Sequence, residues 1–301
     1  MRSAPSPVRL ALVLVALLAG AACSDTDRPP RAEPPVRTTG GVPHQEAVLK
    51  DPDPAQRPAG LDEQLSGSVG GGPDYCLEHT EFSLRTPWET EAPTYSWLDP
   101  ADVPDPTQPI RLPIPSHESL CALGADPDKE VAVTLKGPDG AVVENRVLPP
   151  DSLHSAKETR RDKFTMSFLP GDAKGSYTVT ATQDGRTAVR EVHIVRADTP
   201  LVSTVLEDQG QGAPLAPGGA ITLAFGGLSP DAPTPFYLYG PALTENSTIT
   251  RPFHSALEVV GAADGTALLD LRIPPGTPPG GYYLVNRTQT TAVLFNVAAP
   301  N

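Results

Sequence analysis

The sequence predicts an all-β protein containing two tandem β-sandwiches, and three observations lead there. Short runs of alternating apolar and polar residues, broken by Gly- and Pro-rich turns, recur from about Gln108 onward. One ten-residue element occurs twice, beginning at Pro170-Gly171 and again at Pro275-Gly276. After residue 22 no stretch carries the 3.6-residue apolar periodicity of a helix of ordinary length. The 301 residues include 37 Pro and 26 Gly, punctuation that suits many short strands. A formal charge of -13 excludes a general nucleic-acid binder, which needs a basic face for phosphates.

Residues 1–22 read as an export signal. Arg2 and Arg9 supply a basic start, and Leu10 to Ala22 is a 13-residue apolar stretch, shorter than the roughly 20 residues of a membrane span. Small residues Ala19 to Ala22 lead directly to Cys23, an arrangement that resembles a bacterial, actinobacterial-type lipoprotein lipobox. The resemblance implies Cys23 as the lipidated first residue of the mature chain, although Gly20 stands where that family prefers Leu. Ala19-Gly20-Ala21 also fits an ordinary signal-peptidase site, which would give a secreted protein instead. Residues 23–73 are expected to be a disordered tether. Positions 24–73 hold nine Pro, seven Gly, only seven Val or Leu and no aromatic, too little apolar surface to offset ordering entropy.

Residues 74–107 change character. Tyr75, Phe82, Trp88, Tyr95 and Trp97 stand among eight acidic residues and a single Arg85. This acidic aromatic extension is expected to pack on the first sandwich. Trp88, Tyr95 and Trp97 are alternatively stacking platforms for a carbohydrate. Cys76 and Cys121 are the two cysteines left after Cys23, and in an oxidising compartment they are expected to form one disulfide. Two free thiols or a metal pair are the alternatives.

The first sandwich is assigned to 108–198, with strands around 131–135, 141–148, 164–168, 177–181 and 192–194. The second is assigned to 199–301. Its candidate strands are 201–206, 221–225, 236–239, 257–260, 267–273, 282–285 and 292–297. The repeated element reads P-G-x-x-x-G-x-Y-x-[VL], with Tyr177 followed by Val179 and Tyr282 by Leu284. It resembles the E–F corner of bacterial immunoglobulin-like domains. That resemblance implies a tyrosine corner, in which the Tyr hydroxyl bonds to backbone upstream while its ring enters the core. Where immunoglobulins often place Cys, this chain has Val179 and Leu284, so no inter-sheet disulfide is expected within either sandwich.

No catalytic constellation assembles. There is no G-x-S-x-G elbow, and the six histidines form no H-x-H or H-x-x-x-H pair. Asp99, Asp102 and Asp105 lack the glycine and spacing of a calcium loop. Lys157, Arg160, Arg161 and Lys163 make a basic cluster that meets either the acidic extension or an anionic wall polymer. The layout is similar to the non-catalytic half of actinobacterial L,D-transpeptidases. The expectation is a non-enzymatic protein without cofactor or metal, held at the outer face of the cell membrane through its N-terminal lipid. It would bind or scaffold an envelope protein or cell-wall polymer and no nucleic acid. A peptidoglycan- or carbohydrate-binding module and an accessory subunit of a cell-envelope enzyme are the alternatives.

Overall fold

A computed structural model describes residues 42, 44–66, 76–91, 105–150, 158–159, 163–205, 214–245 and 248–299. Cys23, Tyr95 and Trp97 lie outside them, as do the export signal, Asp99, Asp102 and most of the basic cluster. The described chain is almost entirely β. Residues 39–301 form one compact unit.

Four strands precede the first sandwich: β1 (His44–Val48), β2 (Gln64–Ser66), β3 (Cys76–Leu77) and β4 (Ser83–Arg85), followed by the short helix α1 (Pro87–Glu91). The first sandwich contains β5 (Ile110–Ile114), β6 (Ser116–Leu123), β7 (Val131–Lys136), β8 (Val142–Leu148), β9 (Glu158–Thr159), β10 (Phe164–Phe168), β11 (Gly175–Gln183) and β12 (Arg186–Arg196). One layer has the order β10-β6-β4 and the other β5-β12-β11-β7-β8, while β3 pairs with β9. Alternation explains the core: Val131, Val133 and Leu135 on β7, and Tyr177, Val179 and Ala181 on β11, point inward against Phe164, Met166 and Phe168.

The second sandwich contains β13 (Leu201–Thr204), β14 (Ala220–Gly226), β15 (Thr234–Tyr239), β16 (Leu243–Glu245), β17 (Thr248–Val259), β18 (Ala267–Arg272), β19 (Gly280–Val285) and β20 (Ala292–Val297). Its layers run β1-β18-β14-β13 and β16-β17-β15-β19-β20, with β2 also on β17. The core joins Phe225, Phe236, Leu238, Leu269, Leu271, Tyr282, Leu284 and Phe295. Phe225 and Phe236 meet edge-on at 4.7 Å between ring centroids.

The expected disordered tether fails over residues 44–66, which are folded. β1 adds to β18 in parallel, and β2 adds antiparallel to β17. Leu49 enters the second core, while Leu61 and Leu65 cover Tyr237, Tyr239, Phe253 and Tyr283 on the outer face of the β15–β19 layer. The segment has little apolar surface of its own, but the sandwich supplies the aromatics, so three buried leucines anchor it. One side of β1 bonds to β18 and β2 bonds to β17, so pairing satisfies part of its backbone, and the Asp62 carbonyl accepts the Tyr239 hydroxyl at 3.0 Å.

One further difference concerns a single strand. β17 spans Thr248–Val259, far beyond the expected 257–260, because Arg251, Pro252 and His254 interrupt the apolar alternation. Within it His254 is buried at 2% exposure against Tyr282. Asn286 is buried and donates to the Pro200 carbonyl at 2.8 Å.

The sandwiches meet closely. The His117 Nε2–H donates to the Thr204 carbonyl at 2.7 Å, and its Nδ1 lies 2.7 Å from Ser167 Oγ. Leu169 of the first sandwich packs with Ala224 and Leu268 of the second, joined by Val42 and Val205. At Gly226 the two backbones touch: a Cβ there would stand 2.0 Å from the Ile114 carbonyl oxygen.

Candidate binding surfaces

The two tyrosine corners share one geometry. The Tyr177 hydroxyl donates to the Ala173 carbonyl at 2.8 Å, and that of Tyr282 to the Pro278 carbonyl at 2.9 Å. Each bond reaches back four residues, across the turn opened by the Pro-Gly pair. The rings sit in their cores, Tyr177 edge-on to Phe168 at 5.0 Å and Tyr282 stacked on Phe295 at 5.6 Å. Burial pushes the Tyr282 phenol up to about 12. These tyrosines hold the fold and leave the ligand-facing surfaces to other residues.

Residues 76–91 complete the first sandwich. Cys76 is bonded to Cys121 of β6, with Cα atoms 6.4 Å apart. β4 pairs with β6, and Gly124 turns so tightly against it that a Cβ would stand 2.5 Å from the Glu81 carbonyl. Thr86-Pro87-Trp88-Glu89 is a capping box opening α1. The Glu89 N–H donates to Thr86 Oγ1 at 3.1 Å, and the Thr86 N–H to Glu89 Oε2 at 2.8 Å. The other Glu89 oxygen pairs with Arg190 of β12, and both side chains are nearly inaccessible. Burial pushes the nearby Glu118 carboxyl up, and the negative charge of Glu89 adds to it.

The sequence named none of these polar partners. Its candidate stacking residue Trp88 is half-buried, between the buried Pro87 and Glu89. A T-x-x-E spacing was present to be read as a helix start, but nothing local announces Arg190, 101 residues away.

A distinct surface lies on the far side of the β5-β12-β11-β7-β8 layer. Register places Val189, Thr180, Thr134 and Asn145 in one row across four strands. Thr187, Thr182, Ala132 and Val147 form the next row. No charged residue occupies these eight positions. Val189 and Val147 are 62% and 56% exposed, and Thr134 donates to Asn145 Oδ1 at 2.8 Å. Charges begin at the margin. Glu191 and Lys136 flank Thr178 on one side, and Lys129 pairs with Asp184 on the other at 2.8 Å. The face therefore has an uncharged centre and a charged rim. The period-two pattern announced these strands, yet their outward threonines read as ordinary solvent positions.

Among the described residues no group of three or more His, Cys, Asp or Glu converges as metal ligands do. Nor is any helix there long and apolar enough to cross a membrane.

No family model matches the chain, and no curated protein matches it significantly. Among solved structures it is similar to Escherichia coli alpha-2-macroglobulin activated by porcine elastase, at TM-score 0.22 and 13% identity over 64% of this chain and 19% of that one. A Salmonella alpha-2-macroglobulin mutant gives TM-score 0.25 and 13% identity, covering 77% and 15%. The BSP domain of a biofilm-associated protein gives 0.22 and 13%, covering 64% and 30%. The chain spans less than a third of each of these proteins. Nothing about ligand or activity follows from likenesses this loose.

Proposed function

We propose that this chain is a non-catalytic binding protein of the bacterial envelope. It would be held to the membrane by a lipid on Cys23 and present the threonine-rich face of its first sandwich to a protein partner. The uncharged face carries the reading. In a chain of formal charge -13, a sheet face with eight adjacent uncharged positions and two exposed valines can be covered by a partner without burying a charge, which favours docking there. The strap over the second sandwich and the disulfide-bonded extension on the first hold both domains to one N-terminal segment. They support a scaffold presented as a unit.

The lipid anchor rests on the small-residue run before Cys23 and on the acidity of the chain. A polyanion gains nothing from anionic head groups and needs another attachment. Separate readouts test the anchor and the face. Cys23→Ala should move the protein from the membrane to the medium; retention removes the anchor. A tagged wild-type chain should capture one envelope protein near stoichiometry from solubilised membranes. Val189→Asp with Thr180→Lys should abolish that capture without changing the melting temperature. Equal capture by the variant, or recovery of wall fragments alone, overturns the docking face.

A further inference from the structure

We infer that the second sandwich carries a receptor slot for an extended peptide with small apolar side chains, donated by a partner protein and held by backbone pairing between β1 and β17. The inference is independent of the threonine face, which lies on the other sandwich.

Two sheet edges face each other across this slot. β1 ends its layer, with β18 on one side and, among the described residues, no strand on the other. Among the described residues, β17 pairs over its second half with β15 alone, since β2 and β16 engage only Thr248–Pro252. Backbone polarity along each edge follows from bonds already made. In a strand, one residue directs both its N–H and C=O to one side and the next residue to the other. The Leu49 N–H donates to the Arg272 carbonyl on β18, so Glu46 and Val48, of opposite parity, turn theirs outward. The backbone N–H and C=O of Val260 both point away from β15, so Glu258 and Ala256, of the same parity, do so too. Of these four residues, Val48 on β1 and Ala256 and Glu258 on β17 line one cleft.

The cleft already binds amides of this kind at its two ends. At one end, the Gln45 side chain donates Nε2–H to the Val260 carbonyl at 2.7 Å and accepts the Val260 N–H on Oε1 at 3.3 Å. A carboxamide donating and accepting at one residue makes the bonds that a strand's peptide groups would make. At the other end, the Asp53 N–H donates to the His254 carbonyl at 2.7 Å. Between these bridges, Ala256 and Glu258 face an open volume of about 580 Å³ floored by Leu238, Leu271 and Leu284. At about 3.3 Å per residue, the span leaves room for roughly four extended residues whose ends turn out to solvent.

The lining fits a neutral peptide: Lys50 and Glu258 cancel, so neither sign of ion is favoured over the other, and the outward amides of the edges match a peptide backbone. The leucine floor takes small apolar side chains on alternate positions. Added strands are also how this sandwich binds its own N-terminal segment, through β1 and β2.

The test uses the full chain carrying Cys23→Ala and the blocked pentapeptide acetyl-Val-Ala-Val-Ala-Val-amide, followed by NMR of the backbone amides. Binding should shift the amides of Glu46, Val48, Ala256 and Glu258 and slow their exchange with solvent. The same peptide N-methylated at alternate residues should bind roughly tenfold or more weakly, having lost its donors. Ala256→Pro removes one outward N–H, a change tolerated on a strand edge. It should weaken the unmodified peptide while leaving the Tyr282 environment unchanged. Overturning outcomes are shifts confined to other surfaces, equal binding of the methylated peptide, or no shift at millimolar peptide.

Discussion

Among the described residues, the desolvation of the buried Glu89–Arg190 pair is offset mainly by their mutual bond and by the Thr86 amide. Removing either partner strands a charge in a nearly inaccessible site, so Glu89→Ala should cost about 3–5 kcal/mol. The double variant Glu89→Leu, Arg190→Met should recover most of that loss, because apolar replacements of similar volume remove both desolvation penalties. Urea melts of wild type, Glu89→Ala and the double variant decide it, and a double variant no more stable than Glu89→Ala would contradict a paired role. His254 makes a second prediction at this scale. Burial against Tyr282 holds its imidazole below the ordinary 6.5, with Asp51 opposing weakly. The unfolded chain therefore takes up the proton first as pH falls. The stability contribution is complete above about 6.5 and is lost as pH drops from there through the depressed folded value. His254→Gln should flatten the urea midpoint over that acid window, and an unchanged slope would remove His254 from it.

Among the elements, the N-terminal strap is where composition misled most. Counting apolar residues per segment treats a chain as if it had to build its own core. Residues 44–66 instead borrow one. Leu61 and Leu65 sit on Tyr237, Tyr239, Phe253 and Tyr283, and β1 takes its register from β18. Leu61→Ala and Leu65→Ala should each cost about 2–5 kcal/mol, the range for buried leucines. Hydrogen exchange would locate the loss: amides of β15, β17 and β19 should open, while β7 and β11 of the first sandwich stay protected. Uniform loss across both sandwiches would contradict a local strap. Strands with one buried face were readable. Phe164, Met166 and Phe168 alternate, and β10 runs from Phe164 to Phe168 as expected. β17 was not readable, because the strap covers one face near Phe253 while the other packs His254 inward, and alternation vanishes when both faces are occupied.

At the scale of the molecule, the question is whether two sandwiches joined by Ala197–Pro200 behave as one body. The sequence showed two repeats and therefore two domains, each with its tyrosine corner. It carried no sign of their joint, because the joint is built from backbone, one histidine and one small apolar contact. Gly226 lies against the Ile114 carbonyl, His117 donates to Thr204, and Leu169 fills the gap beside Ala224 and Leu268. The threonine face was hidden for a related reason. Its strands were legible, but the absence of charge emerges only when register sets residues of four strands side by side. A rigid joint would hold that face and the β1–β17 slot at a fixed separation, so a partner that engages both gains from effective concentration. Gly226→Ala tests the joint directly. Its new Cβ would stand 2.0 Å from the Ile114 oxygen, a contact relieved only by backbone movement between the domains. Calorimetry of the Cys23→Ala chain should show one cooperative transition, and the Gly226→Ala form should split into two with a larger radius of gyration by small-angle scattering. A single transition at unchanged radius in the variant would mean that the domains are coupled through the N-terminal strap and extension rather than through Gly226.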